Sequence, residues 1–440
     1  MAVPVVQGTP TTFVDAVNAT SRTITKPLLA VAGEWLILGV AMDGGAALTP
    51  PAEFTTIFET VLGGGAYFWV GKRLVDETEG LTFTIGSNSE AGSGICFRVS
   101  GCDGTDCVDI LSSMDYISGA GGEYTCPEAW AECADSLVLH WGGCDDGSVV
   151  LTKPSGDTAI AGGDLGSNTA GTEIIVSRLD QATAGYTGFA FVDSSEAGEE
   201  TIGLTLVLRS TSTPSSYPAQ AVRRCWSISV PELTTALTYI KPFGTVDGDT
   251  LVLIQISDTT GILSNPGSAF TSIDDTSNTA IWAHALYRVA SSEGASYVGS
   301  STTSSSKSGA MCRVVNANAS PLDEHSVATG TDAAPTGSTI TPSVDNCLLF
   351  FAAAADDDDL TYNTGYPTGY TGIFSAPQQQ GADCSFILAA ITQTSLAATG
   401  SVAGALSATE EWIAFNFAIK PVGGAPPPGA SRRADFMPFF

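Results

Sequence analysis

The chain has 440 residues, with 46 acidic against 17 basic side chains and a net charge of −29 at pH 7. That length supports two or more substantial cores and excludes a stapled mini-protein. The negative field argues against nucleic acid and anionic membrane as partners of the folded body. Only 14% of residues are charged, 48 are Gly, and Ser and Thr are abundant, a composition that suits β-structure with tight turns and a hydroxyl-rich surface.

Met1 to Pro10 carries no basic n-region and no long apolar run, so the expectation is a product that is made in the cytoplasm and not exported through the general secretory route. No stretch approaches the roughly eighteen apolar residues of a membrane helix. The first clear unit starts with the apolar strand Trp35-Leu36-Ile37-Leu38 and the acidic turn Asp43-Gly44-Gly45. Pro50-Pro51 then leads into another strand, an aromatic strand runs from Tyr67 to Arg73, and Leu81 to Thr84 and Ile95 to Val99 close the unit.

Residues 100–134 read as a cysteine-containing insertion. Cys102, Cys107, Cys126 and Cys133 are spaced for local disulfides whose connectivity is open. Pro127 to Glu132 predicts a short helix inside it. The ten cysteines include no Cys-x-x-Cys pair, and three histidines are too few to favour zinc. Cys96 and Cys312 fall at matching strand positions, as small buried hydrophobes.

The plan then repeats. Leu137-Val138-Leu139-His140 is followed by Asp145-Asp146-Gly147, Glu173 to Arg178, Thr187 to Phe191 and the alternating strand Ile202 to Leu208. After a polar, Pro-containing linker at 211–224 come Leu251 to Ile254, Asp258, Asn265-Pro266-Gly267 and Ile281 to Arg288. A fourth round has Leu348 to Phe351, Asp356 to Asp359, Tyr366-Pro367 and Trp412 to Ile419. Leu36, Pro51 and Arg73 recur as Leu251, Pro266 and Arg288 at a constant offset of 215, and Cys96 recurs as Cys312 at an offset of 216. A steady offset over unlike residue types marks tandem duplication of a domain-sized unit. Pro51 and Pro154, then Pro266 and Pro367, mark a weaker echo inside each copy.

Short alternating runs divided by Gly, Pro, Asn and Asp predict an all-β fold of tandem antiparallel β-sandwich, jelly-roll-like domains built from half-repeats. The predicted limits are 1–210 for the first sandwich, 211–224 for the linker, 225–422 for the second sandwich and 423–440 for an extended tail. That tail has a stiff Gly/Pro spacer, then Arg432 and Arg433, then Phe436, Met437, Phe439 and Phe440. Paired cations before an aromatic plug predict a tethered docking peptide, with the arginines meeting acidic groups and the aromatics filling an apolar groove.

Catalytic chemistry is not evident in the residues. His140, His284 and His325 lack the context of a Ser-His or Cys-His pair, and Ser304 to Lys307 matches Ser-x-x-Lys only as any serine run before lysine does. Aspartates follow the apolar strand in every half-repeat. Turn chemistry accounts for them, and Asp356, Asp357, Asp358 and Asp359 are the candidate calcium ligands. Tyr362, Asn363, Tyr366 and Tyr370 lie close together after that run. They form either a candidate glycan platform or a cover for the sandwich edge.

Thr49-Pro50-Pro51, Asn265-Pro266-Gly267, Leu286-Tyr287-Arg288 and Ser194-Ser195-Glu196-Ala197 give the chain a pattern that resembles the tandem β-sandwich modules of tailed-bacteriophage virion surface proteins, over residues 25 to 420. The resemblance implies a non-enzymatic capsid decoration or tail and baseplate appendage, without cofactor, assembled in the host cytoplasm and released by lysis. Its partners would be other virion subunits, with homo-oligomers open. The alternative is a carbohydrate-binding adhesin that recognises host-surface glycans.

Overall fold

The first stretch forms β1 (Val5–Thr25), β2 (Trp35–Asp43), β3 (Thr55–Leu62), β4 (Ala66–Leu74) and β5 (Thr82–Ser100). The second forms β6 (Val108–Tyr116), β7 (Glu123–Cys126), β8 (Trp130–Ala131), β9 (Ser136–Cys144), β10 (Leu151–Thr152), β11 (Thr158–Gly166), β12 (Glu173–Gln181), β13 (Gly185–Tyr186), β14 (Ala190–Ser194) and β15 (Thr201–Leu208). The third forms β16 (Val222–Val230), β17 (Thr234–Ile240), β18 (Thr250–Asp258), β19 (Thr271–Ser277), β20 (Ile281–Val289), β21 (Ser296–Ser305) and β22 (Lys307–Val315). The fourth forms β23 (Ala317–Asp332), β24 (Thr336–Gly337), β25 (Cys347–Asp356), β26 (Thr371–Ala376), β27 (Cys384–Gln393), β28 (Val402–Ala403) and β29 (Glu410–Pro421). This is a computed structural model, and it describes residues 2–45, 47–62, 65–76, 80–116, 123–145, 150–166, 171–194, 201–211, 221–230, 234–258, 262–267, 269–356, 365–376 and 384–423, with no helix among them.

One strand order occurs four times. The first sheet runs β1-β5-β2-β4-β3, the second β6-β15-β9-β12-β11, the third β16-β22-β18-β20-β19 and the fourth β23-β29-β25-β27-β26. In each, the apolar strand sits at the centre, between the closing strand and the strand that in the first three sheets ends near Arg73, Arg178 or Arg288. The fold is thus all-β and antiparallel within each sheet, as the alternation predicts. A jelly roll threads successive strands alternately through two sheets. Here one consecutive stretch completes each sheet before the next begins, and each sandwich is made by laying one finished sheet on another.

Two cores show the pairing. Ile37, Phe68 and Phe97 of the first sheet pack with Leu139, Trp141 and Leu206 of the second. Val252, Ile254 and Cys312 of the third pack with Phe350, Phe386 and Phe417 of the fourth. Each fully buried Phe or Leu here contributes about 1.5–3 kcal/mol. Trp141 sets the spacing of the first sandwich. Its ring stacks on Phe97 at 5.9 Å and lies so close to Gly39 that a Cβ there would be 2.3 Å from it. The outer faces are apolar too. That of the third sheet is covered by Leu237 and Tyr239 of β17 and Tyr297 of β21, and that of the first by Ile24, Phe83 and Ile85 at the far ends of its two longest strands. Central strands buried on both faces therefore read as continuous apolar runs.

Residues 100–134 contain β6, the leading edge strand of the second sheet, which pairs with β15. The segment predicted as an insertion is in this part integral to the repeat. No helix forms at Pro127 to Glu132. Trp130 and Ala131 pair instead with Tyr186 and Gly185, the Trp130 ring meets Tyr186 edge-on at 4.6 Å, and the Glu132 amide donates to Asp109 at 2.7 Å. Tertiary partners outweigh local propensity. Likewise β16 begins at Val222, so the predicted linker 211–224 ends inside a strand.

That strand joins the two sandwiches. Ser227 to Val230 of β16 run parallel to Ser113 to Tyr116 of β6, which makes the second and third sheets one ten-stranded sheet. Buried charges reinforce the seam. Arg223 grips Glu128 through two hydrogen bonds, the Nη2 one at 3.2 Å, and its guanidinium lies 4.1 Å over the Tyr186 ring. Arg224 reaches Asp109 at 3.4 Å and Glu132 at 3.1 Å. Ser112 donates to the Glu128 carbonyl at 2.7 Å and accepts from the Trp226 amide at 3.1 Å. Burial disfavours the charge on Arg223, yet the Glu128 carboxylate beside it raises its pKa.

Candidate functional site

The predicted docking residues Arg432, Arg433, Phe436, Met437, Phe439 and Phe440 lie outside the described residues, as do Tyr362, Asn363, Asp357, Asp358 and Asp359. Asp356 ends β25, where it pairs with Cys384. Among the described residues, no group of three or more His, Cys, Asp or Glu could hold a metal. Tyr366 and Tyr370 are half-buried against the outer core of the fourth sheet. The Tyr366 ring lies over Gly372, where a Cβ would be 2.3 Å away. Burial pushes the Tyr370 phenol up to about 12, and its oxygen has no hydrogen-bond partner. Both rings thus form part of the wall of the fold.

All ten cysteines, Cys102, Cys107, Cys126 and Cys133 among them, are buried and outside any disulfide. Burial pushes Cys102 and Cys126 up to about 12, and Cys126 donates to the Trp141 carbonyl at 3.4 Å. Thiols held protonated in this way are unreactive at neutral pH. Cys96 and Cys312 are both buried in strands, but one place out of step. Leu38 pairs with Cys96, whereas its counterpart Leu253 pairs with Met311, so the two thiols fill opposite faces of their sheets.

The described chemistry concentrates elsewhere, on the outer face of the second sheet. In the central strand of the first sheet the outward row is Leu36, Leu38 and Val40. In the third it is Leu251 and Leu253, then the buried Gln255, and in the fourth Phe351 and Ala353. The second sheet breaks that row with His140. Register places Ser177 of β12 and Thr205 of β15 directly beside it, so three polar side chains share a place where the other sheets are chiefly apolar.

Asp157 completes the group. Its Oδ2 lies 2.7 Å from His140 Nδ1 and accepts from the Ser177 hydroxyl at 2.5 Å. An ionised Asp157 requires the imidazole proton on Nδ1. Burial raises the Asp157 carboxyl, but the bond and charge of His140, with Ser177 and Lys153, outweigh it and hold the group below the usual carboxylate range. His140 Nε2 and Thr205 Oγ1 are buried without a partner, each at a cost of roughly 1–3 kcal/mol.

A cavity of about 510 Å³ adjoins this group, lined by His140 and Asp157 together with Thr152, Lys153, Ser155 and Phe189. An apolar ring, hydroxyls and a buried His–Asp pair around one space suit a small hydroxyl-bearing ligand. Because Ser177 donates to the carboxylate, the set is no nucleophilic triad, in which the imidazole must receive the serine proton. Sequence reasoning passed over the site because no motif links His140 to Asp157. Its one visible signal was a histidine in a row of apolar residues.

No protein-family model, curated protein or solved structure matches the chain.

Proposed function

We propose that the chain is a non-enzymatic structural protein on the surface of a bacteriophage virion, a decoration or tail appendage anchored to a neighbouring subunit by residues 423–440. The observation that carries this reading is the uninterrupted sheet from β11 to β19 through the β6–β16 seam, closed by the buried Arg223–Glu128 pair. Modules hinged for catalysis or capture keep small, polar interfaces, whereas a seam of shared sheet and desolvated ion pairs makes two sandwiches into one strut. The resemblance in turn residues and the net charge of −29, which discourages non-specific adhesion, support the same reading. Quantitative mass spectrometry of density-purified particles from a lysed producing culture tests it. Stoichiometric presence, lost on deletion of residues 424–440, is expected, and absence of the intact chain from particles refutes it.

The cavity beside His140 favours a second reading, a glycan-binding module. Saccharide titration followed by NMR of the intact chain tests it. Shifts lost in Phe189→Ala and kept in Tyr366→Ala support a site at this cavity. Absence of any saccharide-induced shift removes the reading.

A further inference from the structure

The seam between the sandwiches uses the leading strand of the second sheet, β6, and the leading strand of the third, β16. The chain holds one more strand of each kind. β1 leads the first sheet, and its Thr11 and Thr12 pair with Cys96 and Ile95. Ser227 and Ile228 of β16 pair in the same way with Met311 and Ala310, the counterparts of Cys96 and Ile95 in the third sheet. β23 leads the fourth sheet, and its Val327 and Ala328 pair with Phe415 and Ala414. Ser113 and Met114 of β6 pair with Leu204 and Gly203, which hold those places in the second sheet, since Leu206 lies opposite Leu139 as Phe417 lies opposite Phe350. No described strand covers the outer edge of β1 or β23, and an unpaired edge of this length is a template for another strand.

A second feature lies beside the first edge. Before the central strand of the third sheet, Phe243 packs against the core of the first sandwich, and Gly244 adopts a φ of 66°. The repeat offset places Leu28 and Leu29 at these two positions in the first sheet. Leu29 has the same left-handed backbone, with φ 61°, although it is a leucine. Arg98 donates to the Leu29 carbonyl, and its counterpart Arg313 donates one position earlier in the repeat, to that of Phe243. Here, however, both side chains are 81% exposed. The first sheet thus presents to solvent a knuckle whose counterpart in the third sheet, Phe243, is half-buried against a neighbour.

We propose that β1 and the Leu28–Leu29 knuckle of one molecule dock on β23 of a second copy, as β16 and Phe243 dock on β6 within the chain. Copies then add head to tail through a heterologous interface that closes into a ring or extends as a filament. The internal register places Val327 opposite Thr11, Ala328 opposite Thr12 and Thr329 opposite Phe13. The contact stops at Gly330, whose carbonyl accepts from the Asn278 amide at 3.0 Å. Val6 stands at the register position of Arg223, so the contact lacks the buried ion pair of the seam. Association is therefore concentration-dependent, and salt strengthens it by screening two chains of net charge −29.

Sedimentation velocity of the full chain over a wide concentration range, at low and high salt, tests this with two variants. Leu28→Asp/Leu29→Asp blocks the head. Ala328→Pro blocks the tail, because the polar groups of Gly330, and of Ala328 two residues before it, face away from β29. An unchanged urea midpoint shows that each variant folds. The wild type is expected to form a ladder of oligomers and each variant alone to stay monomeric. An equimolar mixture should form dimers and nothing larger, since one free head then meets one free tail. A wild type that is monomeric throughout overturns the proposal. So does self-association of the Ala328→Pro variant, which means a symmetric contact, or oligomers that vanish only when residues 424–440 are deleted.

Discussion

Removal of Glu128 should reveal how much the seam holds. In the folded protein the Glu128 and Arg223 side chains are 1% and 3% exposed, so solvent screens them little. Glu128→Ala deletes two charge-assisted hydrogen bonds, worth about 1.5–3 kcal/mol each, and leaves a guanidinium buried against Tyr186 with no counter-ion. Breaking one side of such a pair costs about 3–5 kcal/mol, a large part of the roughly 5–15 kcal/mol that stabilises a domain. Urea unfolding followed by tryptophan fluorescence should show the wild-type transition shifted to lower urea and divided in two as the sandwiches uncouple. The double variant Glu128→Leu/Arg223→Met removes both charges together and should recover to within about 2 kcal/mol of wild type. A Glu128→Ala loss below about 1 kcal/mol, or a double variant less stable than the single, would refute the reasoning.

Four further outcomes follow from the same structure. Gly39→Ala drives a methyl into the Trp141 ring and should cost about 1–3 kcal/mol by calorimetry. Gly203→Ala should cost more, because its Cβ would lie 2.0 Å from the Thr125 backbone oxygen, which cannot swing aside. Thr205→Val replaces a buried hydroxyl that lacks a partner by a methyl of like volume, and should raise the urea midpoint by the equivalent of about 1 kcal/mol. Asp157 has a folded pKa held below the ordinary value, so its contribution is complete above about pH 4 and is lost as pH falls through the folded pKa. Asp157→Asn should therefore flatten the fall in urea midpoint between about pH 5 and 2 that wild type shows.

What could be read from the residues was whatever buries the same way in each copy. The strands from Leu36, Leu137, Leu251 and Leu348 are central and enclosed on both faces, so their apolar runs stand out. The offset of 215 reappears as chemistry, with Glu34 on Arg98 and Asp249 on Arg313, at 3.0 and 2.7 Å. The leading strands were not legible. β1 and β23 lie at exposed edges, and their Thr, Asn and Asp read as loop. β6 and β16 are buried yet carry Asp109, Arg223 and Arg224, and both arginines find their carboxylates across the seam, while Asp109 also meets Arg209 at the end of β15. No local pattern reports a partner that lies so far along the chain. His140 was hidden likewise, since the partner of its buried ring is Asp157, just before β11.

The turns entering the central strands order the duplications. The first and third sheets enter through Gly33 and Gly248, with φ 90° and 94°, and there Glu34 and Asp249 accept from the Val31 and Val246 amides at 3.1 and 2.9 Å. The second and fourth enter through left-handed Asp135 and Asn346, with φ 57° and 59°. At that turn Ser136 Oγ donates to the Cys133 carbonyl, and Cys347 Sγ to that of Val344. One sheet copied four times in succession would leave one kind of turn. Two kinds in alternation fit the copying of a unit that held one sheet of each kind. The seam lies between one such unit and the next, through β6 and β16. Its buried arginine belongs to that place, and the same register position in β1 holds Val6.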